Sequence, residues 1–219
     1  MPLEFIENGR GEKPMVLLHG FGATAADLYP VGQLPQAAAF HSLYPQAPKQ
    51  ITVSGQTMGR AWFPREDSEL SQALFGSYFS GLERLDPPGL AQSGKEVVEL
   101  LEARGISSGQ LVIGGFSQGA MVAIETALTL ARNDDPPAAM LLFSGALIAA
   151  DRWEKELPRL QGVPVFQSHG NQDPILHPDQ GTALGNALDH AGCLRTFHEF
   201  DGAHTVPDSA LDRAFAMLE

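Results

Sequence analysis

Four short apolar runs punctuate the chain, at residues 15–18, 111–113, 140–143 and 163–166. Downstream of them stand His19-Gly20, Gly114-Gly115, Ser144-Gly145 and His169-Gly170, respectively. Unbroken runs this short are the pattern of strands buried on both faces, as in a parallel sheet. Segments 40–44 and 194–200 are weaker strand candidates, and 3–7 reads as an edge strand. Between the runs the period changes. Leu184, Ala187, Leu188 and Ala191 fall at i, i+3, i+4 and i+7, and Leu211, Ala214, Phe215 and Leu218 repeat the spacing behind Pro207 and Asp208. Val97, Val98, Leu100 and Leu101 mark a third helix, 118–132 a fourth, and the stretch from Ala25 to about residue 34 a shorter one. Strands alternating with helices predict crossover units on one mostly parallel sheet, an α/β fold in a single domain spanning 1–219. The least regular part, about 45–85, holds Trp62, Phe63, Phe75, Tyr78 and Phe79 among prolines and glycines. It reads as an excursion over the sheet.

Candidate chemistry gathers where the strands should end, which is where open α/β sheets place their sites. Gly115-Phe116-Ser117-Gln118-Gly119 fits G-x-S-x-G, with a strand before it and a helix after. In that context the serine sits on a sharp, strained corner, and its neighbours must be small. The helix start also offers free N–H groups to a developing oxyanion. A serine that merely caps a helix is the plainer alternative. The loop His19-Gly20-Phe21-Gly22 directly follows the first strand, so the Phe21 and Gln118 amides could converge on one oxygen.

A serine nucleophile needs a base, and the base needs an acid to orient it. Of the seven histidines, five follow Ser117: His169, His177, His190, His198 and His204. His204, in Asp201-Gly202-Ala203-His204 between the last strand and the terminal helix, is the candidate base; His190 and His198 read as structural. Asp173, just past the strand at 163–166, is the candidate acid in the order Ser, Asp, His. Asp151 is its rival, and Asp201 lies too near His204 in sequence to orient it. His169, Asp173 and His177 stand four residues apart, but Gly170 and Pro174 forbid the helix that would make them a metal face.

Composition narrows the function classes. Lys plus Arg number 14 against 26 Asp plus Glu, a formal charge of −12, which disfavours nucleic acid and anionic membrane surfaces as partners. The single cysteine, Cys193, makes neither an internal disulfide nor a multi-cysteine metal site and reads as a buried apolar residue. No basic, apolar leader opens the sequence and no run is long enough to cross a bilayer, so a cytoplasmic protein without stable membrane insertion is expected.

Taken together, HGFGATAADLYP (19–30), YPQAP (44–48), GRAWF (59–63), GFSQGA (115–120), GNQDPIL (170–176) and FDGAHTVP (200–207) make the chain resemble the phospholipase/carboxylesterase family of α/β-hydrolases, related to acyl-protein thioesterases. The resemblance implies an α/β-hydrolase fold, a mostly parallel central sheet with helices on both faces. It implies a triad of Ser117, Asp173 and His204, an oxyanion hole from the Phe21 and Gln118 amides, and an acyl pocket lined or covered by the excursion with Trp62 and Phe63. Phe21 stands where leucine is frequent in the family, and only its amide is required. The activity expected is hydrolysis of short to medium acyl esters or thioesters of small molecules or lipids, without metal or organic cofactor. Lysophospholipase or acyl-protein thioesterase activity is the alternative. A serine peptidase and a non-catalytic binding module are weaker ones, and a homodimer is compatible with the family.

Overall fold

The computed structural model of the protein describes residues 2–53, 56–63 and 82–219. Seven strands form the central sheet: β1 (Phe5–Asn8), β2 (Lys13–Leu18), β3 (Phe40–Pro45), β6 (Val112–Phe116), β7 (Ala139–Phe143), β8 (Pro164–Gly170) and β9 (Leu194–Phe200). Their spatial order is β1-β3-β2-β6-β7-β8-β9, and every pairing is parallel except β1 with β3. The remaining strands, β4 (Lys49–Val53) and β5 (Gln56–Ala61), pair antiparallel in a small sheet of their own.

The apolar runs are unbroken because successive side chains enter different cores. Val16 and Leu18 of β2 pack into one cluster with Ile113, Met140, Leu142 and Val165, while Met15 and Leu17 join Val112, Leu141, Phe143 and Phe166 in another. Helices α1 (Leu90–Ala103), α2 (Gln118–Ala131), α3 (Ala150–Glu156) and α4 (Pro178–His190) feed the first cluster. Helix α5 (Asp208–Met217) closes the second through Ala210, Leu211, Ala214 and Phe215. Both sheet faces are thereby covered, as a parallel sheet requires.

Three local readings change. The stretch from Ala25 is not one helix but three 3₁₀ turns, Ala25–Asp27, Tyr29–Gln33 and Pro35–Ala37. Pro30 and Pro35 lack the N–H donors that an α-helix ladder needs, and Gly32 between them disfavours the helix. The start of the expected irregular excursion is instead the β4–β5 hairpin; Phe75, Tyr78 and Phe79 lie outside the described residues. Helix α3 escapes the periodicity because it is short.

The chain leaves β2 for β3 on one side, and β6 is followed by β7 on the other, so the strand order reverses between β2 and β6. That crevice, at the carboxyl ends of the two strands, is where the candidate residues converge.

Candidate active site

Ser117 follows β6 directly and caps α2 with φ 55° and ψ −118°, a left-handed backbone that a non-glycine residue adopts only when its surroundings impose it. The imposing partners are identifiable. Ser117 N–H donates to Phe143 O of β7 at 2.9 Å, and the first turn of α2 lies against β2, with Gly119 next to the Leu18 carbonyl. A Cβ at position 115 would come within 2.5–2.6 Å of the Gly119 backbone and of Leu18 O, and one at 119 would overlap the Leu18 carbonyl. Both glycines of the motif are therefore demanded by close approach of backbones.

The β2 loop lies alongside. Leu18 is in register with Gly115, and a Cβ at position 20 would stand 3.4 Å from Ser117 Cβ. The loop with Phe21 and the helix start with Gln118 thus flank the serine from adjacent strands. His19 pins this loop: its Nε2 accepts from Ala47 N–H at 3.1 Å, which leaves Nδ1 as the donor to Gly20 O at 2.8 Å. Burial pushes the His19 pKa down, only partly opposed by the bond to Gly20, so the ring is held neutral.

The acid and base candidates arrive from β8 and β9. Their loops are zipped together by Asn171 N–H to Phe200 O and Gln172 N–H to Gly202 O, each 2.9 Å. His204 Nδ1 stands 2.6 Å from Asp173 Oδ2. The other carboxylate oxygen accepts from Ile175 and Leu176 N–H at 2.8 and 2.9 Å. Burial alone would raise the Asp173 pKa. The hydrogen bonds from His169 and His204, the His204 charge and the Leu176 amide outweigh it and hold the carboxyl well below the usual range. The His204 ring packs against Phe116, the residue before Ser117, with centroids 4.6 Å apart. The histidine and aspartate candidates therefore meet, and the histidine packs on the neighbour of the serine candidate at the carboxyl ends of the strands. Asp151 sits exposed in the first turn of α3, Asp201 accepts from Gln172, and His177 caps α4. His190 bonds to Asn186 O within its own helix and His198 to Ser209. Cys193 is buried, and burial pushes its thiol up to about 11.

Three contributors were missed by sequence reasoning. His169 is buried; its Nε2 donates to Leu176 O at 2.8 Å and lies 3.4 Å from Asp173 Oδ2. Ser144, with φ 46°, reaches Thr205 O at 3.3 Å and so ties the end of β7 to the histidine loop. The Gln118 side chain is the third: its Oε1 accepts from Trp62 N–H at 2.9 Å and its Nε2 donates to Phe63 O at 3.1 Å. The sequence hinted at these positions only through the four-residue spacing of His169, the place of Gln118 in the G-x-S-x-G motif and the small residues after each strand run. Trp62 and Phe63 are themselves closed off from solvent, 1% and 2% exposed, and pack into the larger core.

Residues 3–219 match the phospholipase/carboxylesterase family. The chain belongs to that family. Among related sequences, acyl-protein thioesterase 1 of Eremothecium gossypii is 28% identical over 217 residues, 93% of this chain and 86% of that one. The Saccharomyces cerevisiae protein of the same name is 28% identical over 91% of this chain and 89% of its own. Among solved structures, esterase PE8 superimposes with a TM-score of 0.79 at 25% identity, covering 100% of this chain and 98% of the other. Zea mays acyl-protein thioesterase 2 has the same fold, with a TM-score of 0.73 at 21% identity over 98% of this chain and 97% of its own. This phospholipase/carboxylesterase member is an α/β-hydrolase, an enzyme of the carboxylic ester and thioester hydrolases. Among the described residues no helix is long and apolar enough to cross a membrane.

Proposed function

We propose that the protein hydrolyses esters or thioesters of short to medium acyl chains through an acyl-enzyme on Ser117, with Asp173 and His204 completing the triad. The observation that carries this reading is the 2.6 Å bond between His204 Nδ1 and Asp173 Oδ2, beside a serine whose backbone is forced to φ 55°. An ionised Asp173 keeps the proton on Nδ1, so Nε2 is free to take the Ser117 proton as the hydroxyl attacks the carbonyl. The N–H groups of Phe21 and Gln118 stabilise the tetrahedral oxyanion. His204 then protonates the leaving alcohol or thiol, and a water that it activates releases the acid. No step requires a metal or an organic cofactor.

The relatives named acyl-protein thioesterase, together with the family's phospholipases, favour a lipid or lipidated substrate as the second reading. A cytoplasmic location is part of the same proposal, resting on the sequence pattern alone. One sheet that draws strands from Phe5–Asn8 to Leu194–Phe200 supports a single domain over 1–219.

The test is hydrolysis of p-nitrophenyl esters from acetate to palmitate, wild type beside Ser117→Ala, followed by the matching acyl thioesters. Serine-dependent turnover with an optimum at a short or medium chain is expected. An optimum at palmitate selects the lipid reading, and turnover that survives in Ser117→Ala contradicts the mechanism.

A further inference from the structure

The loop that follows β2 and the start of α2 belong to different segments, yet one residue outside both joins them. Every hydrogen-bonding group of Trp62 has a partner in another element. Its N–H donates to Gln118 Oε1 at 2.9 Å, its indole Nε1–H to His19 O at 2.8 Å, and its carbonyl accepts from Ser93 Oγ of α1 at 2.6 Å. Gln118 also donates to the carbonyl of Phe63 at 3.1 Å, so both ends of its amide bind this one dipeptide.

The far side of the loop is held by β5, the strand that ends just before Trp62. Gly22 N–H donates to Arg60 O at 2.9 Å, and Arg60 N–H returns a bond to Ala23 O at 3.0 Å. Phe21 is thus bracketed, by Trp62 through His19 on one side and by Arg60 through Gly22 and Ala23 on the other. The end of β5 acts as a spacer between the two N–H groups proposed to face the oxyanion.

We propose that the Gln118 side chain, acting through Trp62, is a positioning residue that fixes the separation of the Phe21 and Gln118 N–H groups. The inference rests on the reading of those two amides as the oxyanion hole. Donors of this kind act only when they lie within about 2.7–3.1 Å of the oxygen that becomes charged. A substrate carbonyl is a weaker acceptor than the oxyanion, so loosened donors cost more in the transition state than in substrate binding. Substitution at 118 leaves the backbone N–H in place and removes only what aims it.

The discriminating set is Gln118→Met, Trp62→Phe and the double variant, each checked for fold by circular dichroism and assayed on one p-nitrophenyl ester beside Ser117→Ala. Gln118→Met is expected to lower kcat roughly 10- to 100-fold, a part of the loss seen when a whole donor is deleted, with KM within about threefold. Trp62→Phe, which removes the indole donor to His19 together with part of a buried ring, is expected to lower kcat in the same way. The double variant should be no worse than about the weaker single, because both act on one linkage. A folded Gln118→Met with wild-type kcat overturns the inference, as do additive effects in the double variant. If Gln118→Met does not fold, Trp62→Phe decides alone, and an unchanged kcat overturns it. A purely structural brace would lower the melting temperature and leave kcat alone. Activity in Ser117→Ala would instead bring down the underlying mechanism, which keeps the two failures apart.

Discussion

His204 shares a single oxygen of Asp173: Nδ1 lies 2.6 Å from Oδ2, while Oδ1 is held by the Ile175 and Leu176 amides. The carboxylate is therefore fixed from behind and presents one lone-pair direction to the ring. That arrangement selects the tautomer with the proton on Nδ1.

Asp173→Asn tests this directly. An amide can present its NH₂ to Nδ1 and favour the wrong tautomer, so kcat should fall about 10³–10⁴-fold with little change in KM. The same substitution has a signature in stability. A carboxyl held below its usual value stabilises the fold above about pH 3.9, the unfolded-chain value, and that contribution fades as pH drops through the folded value. Urea unfolding at pH 7 should show the variant less stable than wild type, and at pH 3 the gap should narrow. A constant gap would separate Asp173 from the proton linkage.

His19 predicts a second, higher pH window. Its folded pKa is lowered by burial, so the neutral ring adds stability above about pH 6.5, lost as pH falls and the unfolded chain takes up the proton. Protonation would also remove the acceptor for Ala47 N–H. Melting temperatures from pH 7.5 to 5 should decline in wild type and lose part of that slope in His19→Gln. Equal slopes would contradict it.

Glu125 is fully buried on α2. It is held by both carboxylate contacts to Arg152 at 2.8 Å and by the Trp153 indole at 2.9 Å, while Arg152 also grips Asp86. Glu125→Ala leaves the arginine without its buried partner and opens a cavity. A loss of about 3–5 kcal/mol in chemical unfolding is expected, with kcat of the folded fraction near wild type. A loss under about 1 kcal/mol would mean that water replaces the carboxylate.

Gly119→Ala should be among the most damaging single-methyl changes, because the added Cβ overlaps the Leu18 carbonyl. The strained corner at Ser117 must move for it to fit, so ester turnover should drop at least about tenfold alongside a lowered melting temperature. Gly109→Ala, where nothing lies within 4 Å of the new methyl, is the matched control expected to be silent.

The placement of the candidate site was legible in the sequence because each component closes a strand. β9 spans Leu194–Phe200, as its residues suggested, and Ser117, Asp173 and His204 all fall just past strand ends. The signals failed where bonding, not periodicity, decides the structure. The β4–β5 hairpin carries few apolar alternations and is set by backbone pairing and by its bonds to the β2 loop. Trp62 was legible only as part of an excursion lining or covering an acyl pocket, because composition cannot reveal that its N–H, carbonyl and indole are all engaged inside the protein. The buried role of Glu125 leaves no local signal, since its partners lie 27 and 28 residues away. His169 was visible only as spacing, and the Leu176 carbonyl that fixes its tautomer lies on the loop that follows.

The central claim is that Ser117 is an activated nucleophile, and intact-protein mass spectrometry after exposure to a fluorophosphonate measures it most directly. One adduct per chain, mapped to Ser117, absent from Ser117→Ala and strongly slowed in Asp173→Asn, is the predicted result. A wild-type protein that stays unlabelled, or labels at another residue, contradicts it.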